Sequence, residues 1–352
     1  MHDPTAVAVD AQVVGEKMEI SVRGRWVEVP AMQVNAQTIV VTGKWIKIAA
    51  LHDEDWLEDE LLEPDDCVRK LKQCSGALKA DILRFSQKVP GTIPRYKYSM
   101  ELSSVAVAEV AKFKDWWEKL PQETRKNVRR SQKRMVVIQV KGFDDDVIRG
   151  ICDVQNESPV RQGRLYHHYG KSFEQVMRDH SSFVSRCDFI CAYFQNEFIG
   201  FLKLVYRGDV AAILQLNSKA AHYDKRPSNA LLAKAAELCE ARGIAYMTYG
   251  MFNYGNKGDT PIREFKERHG FGEMLMPTYY VPLTAWGWLC VKTRLYRGLL
   301  GILPNRMLTI ALNVRAKWYS FFTPQSRCSS MSEQSFSKRQ MGRSNPPAGS
   351  SL

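Results

Sequence analysis

The sequence predicts an α/β (α+β) protein whose central sheet is mixed but largely antiparallel, preceded by a smaller β-rich and helical N-terminal domain. Three observations predict it. The runs Asp188–Phe194, Phe198–Tyr206 and Val210–Asn217 are separated by turn signals at Gln195-Asn196 and Arg207-Gly208-Asp209, the pattern of a meander. An apolar helix and a strand-like run, Ile244–Tyr249, come directly after, and helix–strand alternation beside a meander makes the sheet mixed. Well upstream, residues 18–51 break into short alternating runs around a Thr42-Gly43 turn.

In chain order, residues 1–17 are expected to be a flexible start. Within 18–94, strands at Glu19–Val22, Trp26–Val29, Thr38–Val41 and Trp45–Ile48 precede an acidic helical stretch and a helix near Val68–Phe85. The breaker cluster Val89-Pro90-Gly91-Thr92-Ile93-Pro94 marks the boundary. The second domain, 95–283, opens on a basic helical region, Lys112–Arg134, interrupted at Pro121. A strand at Met135–Val140 follows, then a helix started by Asp144-Asp145-Asp146, whose acids suit the positive end of the helix dipole. A second helix spans Ser172–Val184. After the meander come a helix from Arg226 to Arg242, the strand at Ile244, a short helix at Pro261–Arg268 and a last strand at Glu273–Leu283. Residues 284–322 read as basic amphipathic helices. The tail 323–352, rich in Ser, Gln, Arg and Pro, cannot bury enough apolar surface to order itself.

Composition narrows the class. Of 352 residues, 45% are hydrophobic and 25% charged, as in ordinary globular proteins. Neither a secretory leader nor an apolar run long enough to span a bilayer is visible, and the eight cysteines are scattered without metal-ligand spacing. A cytoplasmic protein with reduced thiols and no metal is expected. The net charge of +12 is uneven: residues 53–66 are acidic, 112–141 strongly basic, and Val281–Ser320 holds no carboxylate. Each run reads as a solvated face. For the basic ones an anionic partner competes: a phosphorylated donor, an RNA or a lipid headgroup.

The chemistry concentrates after the meander. Lys225-Arg226-Pro227-Ser228-Asn229-Ala230 opens a helix, with Pro227 fixing its start and Ser228 placed to cap the free amides. A helix N-terminus aimed out of a sheet favours a phosphate, and Lys225 and Arg226 add charge. The same residues also suit an ordinary capped helix with basic flanks.

The run Arg226-Pro227-Ser228-Asn229-Ala230-Leu231-Leu232, Gly243, Tyr246 and Phe265-Lys266…Gly270-Phe271-Gly272 resembles the Fem-type branch of the GNAT acyltransferase superfamily. Leu120-Pro121-Gln122-Glu123-Thr124-Arg125-Lys126-Asn127-Val128-Arg129-Arg130 resembles the basic helix that precedes the Fem-type catalytic domain. The resemblance covers roughly Lys112 to Leu283. It implies a GNAT fold and acyl transfer to an amine, with acyl-CoA (acetyl-CoA) as donor or, in a Fem-like enzyme, aminoacyl-tRNA tracked by the basic helix. Lys225–Ala230 lacks the glycines of the usual coenzyme loop, which keeps the tRNA donor and a non-catalytic GNAT-like binding module open.

On this reading, amides from Leu216, Asn217 and Ser218 polarise the acyl carbonyl and residues 225–230 hold the donor phosphates. Tyr254, in a glycine-rich loop, is the first choice for the acid that reprotonates the leaving group, and Tyr249 the second. Where many GNAT enzymes carry a basic glutamate, this chain has Gln215 or Asn217. Glu157, His168 or a water chain would replace it, or catalysis rests on positioning. The segment 157–171 covers the acceptor site of such folds. Arg161, Arg164 and Lys171 would hold an anionic acceptor, a small-molecule or cell-envelope amine, with His167, His168 and Tyr169 lining it; a surface loop anchored by its aromatics is the plainer reading. The basic, aromatic residues 284–322 suit either a membrane interface or packing against the N-terminal domain.

Overall fold

The computed structural model describes residues 16–22, 25–53, 57–61, 63–161, 164–253 and 260–297. All belong to one compact unit, Met1–Gly298. The N-terminal strands are β1 (Glu16–Val22), β2 (Arg25–Val34), β3 (Gln37–Thr42), β4 (Ile48–Leu51) and, after helix α1 (Pro64–Gln73), β5 (Ile82–Ser86). Then come β6 (Ser99–Glu109), α2 (Phe113–Lys119), α3 (Gln122–Lys133), β7 (Val137–Lys141) and α4 (Asp145–Gln155). The small hairpin β8 (Val160–Arg161) and β9 (Arg164–Leu165) leads to α5 (Phe173–His180). The meander is β10 (Cys187–Phe194), β11 (Glu197–Arg207) and β12 (Val210–Ser218). It is followed by α6 (Pro227–Ala241), β13 (Tyr246–Met251), α7 (Pro261–Arg268), β14 (Gly272–Pro282) and α8 (Ala285–Thr293).

Twelve strands form one sheet in the order β1-β2-β3-β4-β5-β14-β6-β13-β12-β11-β10-β7. Only β4–β5 and β12–β13 pair in parallel among these neighbours, so the sheet is mixed and largely antiparallel. The expected boundary at residue 94 falls between β5 and β6, and both of those strands pair with β14. The strands on either side of residue 94 therefore share this sheet.

Several local expectations change. Val68–Phe85 is not one helix: α1 ends at Gln73, Gly76 takes a left-handed φ of 61°, and Ile82–Ser86 is a strand. Ile82, Leu83 and Phe85 are buried because β5 lies between β4 and β14, a pairing partner 200 residues away that local periodicity does not contain. Among the described residues of 53–66, helix begins only at Pro64. The strand expected at Trp45–Ile48 is a bend that delivers the chain into β4. Ser172–Val184 stops at His180, and Phe183 is left-handed at φ 57°. The long strand β6, at the centre of the sheet, was not anticipated; its Ser-Met-Glu-Leu-Ser-Ser half carries little alternation.

The two faces of the sheet differ. One is covered by α2, α3 and α6 over a dry cluster that includes Leu202, Leu204, Ala211, Ile213, Leu231, Leu232 and Phe271. The other carries α4 and α5 over Phe189, Cys191 and Phe201. The segment around Leu57 lies on that second face against Val205 and Ala212, tied down by Arg186 and Arg207. α1 and β2–β5 enclose a separate core around Met32, Ile39, Leu71 and Tyr279.

Candidate functional site

The site begins with a fault in the sheet. β12 and β13 pair only at Val210↔Tyr246, Ala211↔Met247 and Ala212↔Thr248, although β12 runs on to Ser218 and β13 to Met251. Two local features part them. A bulge at Leu214 shifts the β11–β12 register, since Leu204 faces Ile213 while Lys203 faces Gln215. In β13, Gly250 adopts a φ of 55°, open to glycine and strained for other residues. A wedge opens between the ends of two parallel strands, at the point where α6 begins.

α6 starts differently from expectation. Arg226 is its N-cap, exposed and left-handed at φ 58°, with no side-chain cap, and Pro227 occupies the first turn. Ser228 lies inside the helix, and its hydroxyl is 3.0 Å from the hydroxyl of buried Ser218, so it does not cap the free amides. Asn229 donates to His269 Nε2 at 2.9 Å, while His269 Nδ1 meets the Phe265 carbonyl at 2.7 Å. Asn229 thus ties α6 to the end of α7, and burial holds the His269 ring near pKa 4, neutral at ordinary pH. Ala230 is buried. Lys225 lies over the Phe194 ring at 4.5 Å and pairs with Asp224, which also takes an ion pair from Arg134 beyond the end of α3. Of the expected phosphate ligands, Arg226 is the exposed cation; Leu216 packs on the apolar face.

On the opposite face the segment 157–171 meets β12. The Glu157 carboxylate accepts the amides of Ala220 (2.6 Å) and Ala221 (2.9 Å), and Arg161 lies 3.6 Å away. Both oxygens are engaged in holding the turn before α6. Arg161 donates to the carbonyls of Val154 (2.5 Å) and Ser218 (3.3 Å), reaches Asn217 Oδ1 at 3.5 Å, and stacks over Tyr166. It clamps the end of β12 to α4 instead of facing solvent.

His168 sits at the bulge. Its Nε2 is 3.4 Å from the Gln215 side-chain amide and its Nδ1 is 3.5 Å from Lys171 Nζ. Lys171 in turn forms a close ion pair with Asp179, and Asp179 accepts from Trp26 Nε1 at 3.2 Å. Burial, then the charges of His167 and Lys171, hold the His168 ring down to about 4. The ring is therefore neutral at pH 7. Lys171 Nζ and Gln215 Nε2 are both donors, and a neutral ring has a single acceptor nitrogen, so the ring accepts from only one of them at a time. His168 lies against Gln215 at the bulge. His167 and Tyr169 are exposed, with His167 stacked on His168.

Tyr249 follows Thr248, the last residue of β13 paired with β12, and packs against Phe271, with the buried Lys266 ammonium 4.6 Å from its ring centre. Lys266 also donates to the Met251 carbonyl at 2.7 Å, which holds α7 to the splayed end of β13. Tyr254 and the side chain of Arg164 lie outside the described residues. Sequence reasoning gave no role to Asp179 or Trp26, and Lys266 entered it only within the Phe265-Lys266…Gly270 run that carries the resemblance.

No family model matches the chain, and no curated protein matches it. Among solved structures it is similar to FemX, at 9% identity and a TM-score of 0.53, over 79% of this chain and 90% of that one. It is also similar to the C-terminal domain (DUF2156) of a putative lysylphosphatidylglycerol synthetase from Agrobacterium fabrum. There the identity is 14% and the TM-score 0.50, over 74% of this chain and 86% of the other. The fold is GNAT-like, of the Fem type. In a GNAT-like frame the meander, the crossover helix α6 and the parallel strand β13 enclose the wedge, and the two sets of candidates meet on its rims. Glu157, Arg161, His168 and Lys171 gather on one face, and Arg226 with the α6 N-terminus stands at the mouth. Among the described residues no group of His, Cys, Asp and Glu is placed to hold a metal.

Proposed function

We propose that the protein is an N-acyltransferase that moves an acyl group from acyl-CoA to an amine. The observation that carries this is the wedge between β12 and β13. Strand-edge amides from β12, released from pairing with β13, point into it, and an acyl carbonyl lying there would find hydrogen-bond donors already oriented. The donor phosphates would lie at the start of α6 near Arg226. The amine would approach past Gln215 and His168, where the clamp of Arg161 and the Lys171–Asp179 pair fix the wall. Arg161 and Lys171 already have acidic partners, so they shape the acceptor wall more than they bind an anion.

In the reaction the amine nitrogen forms a bond to the carbonyl carbon and the carbon–sulfur bond breaks. The proton lost from nitrogen passes to water, and the departing thiolate takes one from Tyr254 or Tyr249. Catalysis then rests mainly on positioning and on carbonyl polarisation. The acceptor is a small-molecule or cell-envelope amine.

A second reading, with aminoacyl-tRNA as donor, is favoured by one observation. α3 lies along α6 and exposes Lys126, Arg129 and Lys133, with Arg134 just beyond its end, a basic stripe leading to the mouth of the wedge. Calorimetry on the full chain with coenzyme A, acetyl-CoA and charged tRNA separates the two. Micromolar, salt-tolerant coenzyme binding that weakens in Arg226→Gln supports the first reading. Steeply salt-dependent tRNA binding without coenzyme binding replaces it with the second. Binding of neither sinks both. If Tyr254→Phe and Tyr249→Phe each retain full turnover, the tyrosine acid is wrong.

A further inference from the structure

Away from the wedge, the bend at residues 43–46 and helix α8 together expose an unusual amount of aromatic surface. Trp45 is 91% exposed, Trp286 44%, Trp288 54% and Leu289 40%. The two elements are joined: Trp286 Nε1 donates to the Trp45 carbonyl at 3.2 Å. The rotation of α8 is fixed from beneath. Gly287 presses so closely on the Asp81 backbone that an added Cβ would lie 1.8 Å from the Asp81 carbonyl oxygen, and Cys290 is fully buried. With that edge locked inward, Trp288, Leu289 and Lys292 must face out, and the Lys292 ammonium lies 4.8 Å over the Trp288 ring.

Along the two segments that carry these indoles the charge has one sign. Residues 43–47 contribute Lys44 and Lys47, α8 and its cap contribute Lys292 and Arg294, and neither segment contains a carboxylate. Asp81, at their junction, is turned inward, accepting from the Lys47 amide and the Thr284 hydroxyl, both at 2.9 Å. A protein partner would need an apolar, acidic counter-surface. An anionic bilayer supplies both features at once, because indoles settle at the headgroup level while Lys and Arg reach the phosphates. We propose that the Trp45–Trp286–Trp288 patch is a peripheral docking surface for anionic phospholipid membranes. β13 and β14 both run antiparallel to β6, so α8 follows the same end of the sheet at which the wedge opens. A docked molecule would present that end towards the lipid.

Co-sedimentation of the full chain with phosphatidylcholine vesicles, with and without phosphatidylglycerol, tests this. Wild-type protein is expected to partition onto the phosphatidylglycerol vesicles at least about tenfold more strongly than onto pure phosphatidylcholine. Trp45→Ser with Trp288→Ser should weaken partitioning by about tenfold, and Lys44→Gln with Lys292→Gln should remove most of the lipid-charge preference. All four positions are exposed, so unchanged circular dichroism is expected. Brominated lipids give a second readout, since they should quench wild-type fluorescence and quench the double tryptophan variant less. If neither vesicle captures the protein, or if the tryptophan variant sediments like wild type, the proposal is overturned. The acyltransferase reading stands or falls separately, on coenzyme and tRNA binding.

Discussion

The two faces of the meander solve different problems with the same strands. Toward α6, β11 and β12 present Leu202, Leu204, Ala211 and Ile213, all buried, against Leu231, Leu232 and Ala235. Toward α4 and α5 the alternate positions carry Phe201 and Val205, but also Lys203, Gln215 and Asn217. Lys203 is fully enclosed, donating to the carbonyls of His180 (3.0 Å) and Ser182 (2.7 Å) and to the Ser182 hydroxyl (3.2 Å). The first face is held by area and shape, the second by directional bonds that satisfy buried polar groups. The contrast separates a face held by apolar packing from one that concentrates hydrogen-bonded polar groups beside the wedge.

Four measurements would break or sharpen that contrast. The largest effect is expected on the dry face: Leu232→Ala removes a fully buried side chain and should cost about 2–5 kcal/mol in denaturant unfolding. A loss under about 1 kcal/mol would mean that face is loosely packed. On the polar face, Lys203→Met keeps the length but strands three acceptors, which should cost about 1–3 kcal/mol. It should also slow turnover, if activity is found, because the end of α5 carries Asp179. Unchanged stability would show that water replaces the ammonium.

Acid should strike the polar face harder. Burial lowers His168 to about 4, His180 to about 3 and His269 to about 4, from an ordinary 6.5. Below pH 6.5 the unfolded chain takes up protons that the folded rings refuse. This contribution is therefore intact above 6.5 and is lost as the pH falls towards 4. Tm should fall across that window. His168→Gln or His180→Gln should flatten the fall by about as much as His269→Gln alone, and the two together by more. A pH-independent Tm would contradict the burial of His180 and His269 and the half-burial of His168.

The smallest effect is Gln215→Glu, which places a carboxylate beside the His168 ring. Stability should change by no more than about 1 kcal/mol, but the His168 pKa should rise, as read from its ring proton shifts by NMR. An unmoved His168 would mean that the two side chains are not in contact.

Much of the frame was readable from the chain. The three meander strands, α4, α6 and α7 appear within a few residues of their expected limits, because their apolar positions repeat at the period of the element and their turns carry Gly, Asn or Asp. β5 and β6 were not readable, since each is a strand by virtue of partners far along the chain. The site was legible as a set of segments, 157–171 and 216–230, but not as roles. Glu157 was one of several candidates for the base, and its carboxylate holds the turn before α6; Ser228 looked like a cap and is a bridge to Ser218. Nothing in the local pattern tells a carboxylate which amides it will meet.

The sequence by itself determined the alternation, the breaks and the sign of the charge: a mixed sheet, a basic α3, and a proline-led α6 after a meander. The tertiary structure alone decided that β12 and β13 part after Ala212, that His168 is half-buried and neutral beside Gln215, and that Trp26 from the second strand reaches Asp179 on α5. The physical reason is range. Periodicity and turn chemistry are set by neighbours a few residues apart, whereas burial, proton affinity and hydrogen-bond partners depend on what the fold brings from tens to more than a hundred residues away.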